Sequence, residues 1–104
     1  MYMERIIVTV EADLEDLIEG FIVNRQLDTE KLHQAIAEDD FETIRIIGHT
    51  MKGIGSGYGF DFISILGAKI ENSGIQQNKM AAEMALDMLN WYLGKIRTEI
   101  YGEG

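Results

Sequence analysis

The sequence predicts an all-α fold: an antiparallel four-helix bundle with a short additional helix and an extended N-terminal arm. Three observations predict it. Apolar residues recur at spacings of three and four from Asp13 almost to the C-terminus. No proline interrupts these segments. The connections between them are short, which makes consecutive helices antiparallel neighbours. The chain has 104 residues, a size for one domain over 1–104, with the arm over 1–12 and the helical body over about 13–101. A domain of this size buries roughly two-thirds of the surface its unfolded chain exposes.

The elements follow in order. Arg5 to Val10 is β-branched and weakly alternating, so it is expected to be extended and to lie against the body. Leu14, Leu17, Ile18, Phe21 and Ile22 mark the first helix, with Arg25 on the same stripe and an end near Leu27. Asp28 or Thr29 then caps a short second helix carrying Leu32, Ala35 and Ile36. Asp39, with Glu42 three residues later, gives a capping box for a third helix from about Phe41 to Gly57. A break at Tyr58-Gly59-Phe60 precedes a fourth helix with Phe62, Ile63, Leu66, Ala68 and Ile70, which stops near Asn72-Ser73-Gly74. Asn78 opens the last helix, to about Tyr101. Its stripe is Ala81, Met84, Ala85, Met88, Tyr92 and Ile96, widened by Leu89, Leu93 and Ile100. Helical spacing assigns the six methionines and Trp91 to core packing rather than to a binding surface.

Composition narrows the function. The hydrophobic fraction of 46% excludes disorder. The net charge of -9 repels nucleic acid and anionic lipid, so neither is an expected partner. No apolar run approaches the roughly 18 residues of a membrane span, and Met1-Tyr2-Met3-Glu4-Arg5 has no signal-peptide layout. The chain has no cysteine, which is compatible with the cytoplasm, the expected location. One irregularity stands out: seven of the 11 glycines fall between Gly48 and Gly74.

That cluster surrounds a histidine, in His49-Thr50-Met51-Lys52-Gly53-Ile54-Gly55-Ser56-Gly57-Tyr58. On a helix, Ile47, Met51, Ile54 and Tyr58 lie within about 40° of the direction opposite His49. They form the core stripe, and His49 points to solvent. Arg45, Lys52, Gly53 and Ser56 fall within about 60° of His49, and Gly57 about 80° away. Each helical glycine costs about 1 kcal/mol relative to alanine. Four of them cost about 3–4 kcal/mol, a large part of a typical stability of roughly 5–15 kcal/mol. Something must therefore approach the backbone closely. Gly48 and Gly55 face a neighbouring helix, while Gly53 and Gly57 leave room beside the imidazole.

The residue types suggest the chemistry. Neutral imidazole offers a nitrogen nucleophile near neutral pH. Phosphoryl transfer needs in-line access and cations around the equatorial oxygens. Lys52 supplies such a charge. The second ring nitrogen then needs a partner that fixes the tautomer.

These residues resemble the histidine-containing phosphotransfer (HPt) domain of two-component phosphorelays. His49, Met51, Lys52, Gly53, Tyr58 and Gly59 match its pattern, and the resemblance covers essentially the whole chain. It implies a four-helix bundle with His49 as phosphoacceptor, Lys52 stabilising the phosphoryl group and Gly53 keeping the site open. It also implies an imidazole-orienting polar residue on the following helix, a position that Glu71 occupies. Ser56 stands where the family often has glycine or alanine, and it is still small. The partners implied are receiver domains of response regulators or hybrid kinases. No cofactor is expected on this chain, since Mg²⁺ belongs to the receiver. The protein is expected to be a monomeric, freestanding phosphocarrier without autokinase activity, because no Gly-rich nucleotide loop is present. Met1 and the polar tail Gly102-Glu103-Gly104 favour a complete protein.

Two other readings compete. Glu30-Lys31-Leu32-His33 contains one Glu-x-x-His match, where a di-iron bundle needs two plus further glutamates. The alternative function is a non-catalytic helical-bundle interaction module that binds signalling partners. Loss of His49 or Lys52 would mark such a module, and both are present.

Overall fold

The structure, a computed structural model, describes residues 5–101. It is mostly helical (78%), with four helices and one short strand pair. The order is β1 (Ile6–Glu11), α1 (Glu15–Ala37), α2 (Phe41–Ile54), α3 (Asp61–Ile75), α4 (Lys79–Lys95) and β2 (Ile96–Tyr101). Single 3-10 turns at Ala12–Leu14 and Ser56–Tyr58 precede α1 and α3. Residues 1–4 of the expected arm and the tail 102–104 lie outside the described residues.

The expected short additional helix does not exist as a separate element. Residues 28–37 continue α1 without a break. The would-be caps are engaged inside the helix instead. Asp28 accepts a 2.8 Å hydrogen bond from Arg25 Nε, and the Thr29 hydroxyl donates to the Gln26 carbonyl at 2.6 Å. Ile18, Phe21, Arg25, Leu32, Ala35 and Ile36 form one buried stripe along the helix. Arg25 is tolerated there because its guanidinium covers the Phe21 ring, 4.9 Å from the centroid, and pairs with Asp28.

The last helix is also shorter than expected. It ends at Lys95, and Ile96 turns to extended backbone (φ -69°, ψ 144°). Ile96-Arg97-Thr98-Glu99-Ile100-Tyr101 alternates and is rich in β-branched and aromatic residues, which suits a strand. It pairs with β1 in parallel, from Ile6 with Ile96 to Glu11 with Tyr101. The arm therefore has a strand partner, at the opposite end of the chain. Val8, Val10 and Ile96 turn inward and join the core.

Within α4 the buried stripe is Ala82, Ala85, Leu86, Leu89 and Tyr92. Met80, Met84, Met88 and Trp91 are exposed, at 72%, 62%, 40% and 49%, so core packing does not account for them. The helix is apolar nearly all round, and two stripes compete in the pattern. Met51 alone among the described methionines is fully buried. Ala68, expected in the core stripe of α3, is exposed.

Asp40, not Asp39, caps α2. Its carboxylate accepts from the Thr43 amide at 3.1 Å and from the Thr43 hydroxyl at 2.6 Å. Asp39 takes a left-handed turn (φ 55°) that ends the preceding helix. Asn78 caps α4 through the Ala81 amide at 3.1 Å. Among the described residues no helix is long and apolar enough to cross a membrane.

Candidate functional site

Helix α2 buries Ile44, Ile47, Gly48 and Met51 and so turns His49 outward. The His49 side chain is 65% exposed. The helix ends at Ile54 rather than Gly57, because Gly55 sits against the start of α3. A Cβ on Gly55 would stand 2.6 Å from the Ser64 amide nitrogen. The chain then tightens through Ser56–Tyr58, and Gly59 reverses it in a left-handed conformation (φ 88°) that only glycine adopts at low cost.

The glycines let α2 and α3 meet backbone to backbone. A Cβ on Gly48 would clash with the Glu71 backbone, one on Gly67 with Lys52, and one on Gly74 with Arg45, each at under 3.0 Å. The facing pairs run in opposite directions along the two helices, so the pair is antiparallel. Gly67 and Gly74 flank Glu71 on the α3 face that meets α2. Where the backbones nearly touch, a Glu71 side chain has to leave sideways, along the groove in which His49 and Lys52 stand.

The result is a three-residue constellation. Glu71 Oε2 lies 2.8 Å from His49 Nδ1, and Glu71 Oε1 lies 2.6 Å from Lys52 Nζ. The Glu71 side chain is only 14% exposed. Hydrogen bonds from Lys52 and then His49 hold its carboxyl below the usual carboxylate range, against a smaller opposing effect of burial. An ionised carboxylate only accepts hydrogen bonds. The proton of neutral His49 therefore sits on Nδ1 and is donated to Glu71. The lone pair of Nε2 faces solvent.

Gly53 and Gly57 have open space where a Cβ would stand, so the approach to the imidazole is bare on that side. Arg45 is turned back along its own helix, with Nε donating to Glu42 at 2.6 Å. Ser56 hydrogen-bonds to Ser64 and not to His49. Its amide donates to the Ser64 hydroxyl at 2.8 Å, and the two hydroxyls lie 3.2 Å apart. Ser64 thus pins the turn after α2 onto α3. Nothing in the sequence marks Ser64, since no periodicity identifies a hydroxyl that meets a loop amide eight residues away. Gly67 and Gly74 were visible as glycines, and their seven-residue spacing is the signal that one α3 face lies against a backbone.

His33 and Glu30 are exposed. Among the described residues no group of three or more His, Asp or Glu could hold a metal ion. No family model, curated protein or solved structure matches this chain.

Proposed function

We propose that this protein is a histidine phosphotransfer (HPt) domain protein that relays a phosphoryl group between His49 and receiver-domain aspartates in a cytoplasmic two-component phosphorelay. In this reading the four helices form an antiparallel bundle that presents His49 midway along α2. The observation that supports it most is the exposed imidazole held through Nδ1 by Glu71, with Lys52 on the same carboxylate.

The chemistry follows from that geometry. His49 Nε2 attacks the phosphorus of an aspartyl phosphate in line. The N–P bond forms as the P–O bond to the aspartate breaks, and the aspartate leaves as a carboxylate. The ring keeps its Nδ1 proton and becomes cationic, and the Glu71 carboxylate faces the charge as it develops. Lys52 stands next to His49 and offers its ammonium to the phosphoryl oxygens. The bare surface at Gly53 and Gly57 admits the receiver, which brings its own Mg²⁺. Ile46, 50% exposed and one turn before His49, offers apolar area for docking.

Incubation with a phosphorylated receiver domain tests the reading. The wild type should take up an acid-labile, base-stable label, and His49→Gln should take up none while keeping its helical circular dichroism. A label that persists in His49→Gln refutes the site assignment. A folded wild type that never accepts phosphate from any receiver of its organism would leave the interaction module.

A further inference from the structure

The β1–β2 pair is a two-stranded sheet, and among the described residues no third strand joins it. Two strands alone are marginal in water, and each carries an unpaired row of amides and carbonyls. At the β2 edge a groove of about 550 Å³ opens between the strand and α1. Ile18, Ile22, Val23, Ile96 and Ile100 give it an apolar wall, Glu15, Glu19 and Arg97 also line it, and β1 contributes nothing. Ile100 belongs to the inward face with Ile96 yet is 43% exposed, and Val23 in the groove wall is 46% exposed. A free strand edge with a partly apolar groove along it is suited to receive another strand.

The sequence of β2 selects the strand. Ile96-Arg97-Thr98-Glu99-Ile100 is self-complementary when paired antiparallel about Thr98. Ile96 then faces Ile100 of a second copy, Arg97 faces Glu99, and Thr98 faces Thr98. Each pair is of a type that stabilises an antiparallel sheet, and the two Arg–Glu pairs would break under a shift of register. Among the described residues neither Arg97 nor Glu99 has an ion-pair partner in the single chain. The Arg97 guanidinium instead donates to its neighbour's carbonyl, Ile96 O, at 2.7 Å. We propose that two copies of this chain associate edge to edge through β2, forming a twofold, four-stranded sheet ordered β1-β2-β2-β1. This interface is isologous, as a closed dimer requires. It replaces the monomer expected from sequence and is independent of the chemistry at His49.

Charge reversal tests it by sedimentation over a concentration series, with circular dichroism as the check on folding. The wild type should show a concentration-dependent dimer. Arg97→Glu and Glu99→Arg each set like charges opposite one another twice per dimer, and each should weaken association by at least about tenfold. The double variant R97E/E99R restores both pairs and should dimerise like the wild type. An equimolar mixture of the two single variants should form the heterodimer. A wild type that stays monomeric throughout overturns the proposal. So does a dimer that neither single variant weakens, which would place the contact elsewhere, for example on the β1 edge.

Discussion

Glu71 Oε2 stands 2.8 Å from His49 Nδ1 although 22 residues separate the two in the chain. The contact exists because Gly48 and Gly67 let their helices touch at that level. One carboxylate thereby fixes the histidine tautomer and holds Lys52 at 2.6 Å. Glu71→Gln keeps an acceptor for the Nδ1 proton but, in the proposed relay, loses the charge that would face a cationic phosphohistidine. Phosphotransfer to His49 should slow by about tenfold, the lower end for partners that orient a functional histidine. Receiver affinity should be unchanged, because the Glu71 side chain is largely covered. Rapid-quench transfer rates set beside a binding titration separate the two effects. An unchanged rate would leave Glu71 with a packing role only.

The glycines divide into two kinds, and alanine tells them apart. Gly48→Ala or Gly67→Ala forces a Cβ into the backbone of the facing helix, where no side chain can give way. A loss of about 3 kcal/mol or more is expected. Gly53→Ala meets nothing within 4 Å and should stabilise the fold by up to about 1 kcal/mol through helix propensity. In the proposed relay it should nevertheless slow phosphotransfer, because the added methyl would stand where a receiver approaches. Gly20→Ala in α1 also meets nothing within 4 Å and serves as the control, with the same stabilisation and no kinetic effect. Denaturant melts and transfer rates on the four variants check this.

Much of the site was legible because it depends on local geometry. The phase of Ile47 and Met51 fixes where His49 points, and Lys52 follows one turn later. Asn78 read correctly as a cap because the Asx signal is also local. What failed depends on distant partners. Nothing near Arg97 reveals that Ile6–Glu11 will lie beside it, so the periodic pattern of α4 ran on into β2. Asp28 and Thr29 look like caps until Arg25 and the Gln26 carbonyl engage them. The α4 stripe is not legible in the sequence because a helix apolar nearly all round has no unique phase, and only the neighbouring elements choose one.

The pH dependence of the His49–Glu71–Lys52 group has a definite sign. The Glu71 pKa is lower in the folded chain than the ordinary 4.5. A depressed carboxyl stabilises the fold fully above the unfolded value and loses that contribution as pH falls through the folded one. The difference in melting temperature between wild type and Glu71→Gln should therefore shrink as pH falls below about 4.5. Thermal melts over an acid series measure it. A difference that does not shrink below about pH 4.5 would contradict the ionised carboxylate on which the tautomer assignment rests.

Arg25 and Asp28 behave in the opposite sense. Their side chains are 8% and 15% exposed, and they pair at 2.8 Å. Burial outweighs the guanidinium and raises the Asp28 pKa above its ordinary 3.8. A raised carboxyl favours the fold most when protonated, and that contribution fades as pH rises through the folded value. Arg25→Ala removes the partner and the cover over Phe21 together, leaving a mostly buried carboxylate alone. The expected cost is about 3 kcal/mol at neutral pH. The cost should fall as the solution is acidified and Asp28 takes up a proton. Arg25→Met/Asp28→Leu, which removes both charges and keeps the volume, should recover most of the loss. Urea melts of the three proteins at neutral and acidic pH decide the matter. A cost of Arg25→Ala that does not change with pH would mean that lost packing on Phe21, rather than the stranded carboxylate, dominates at this point of α1.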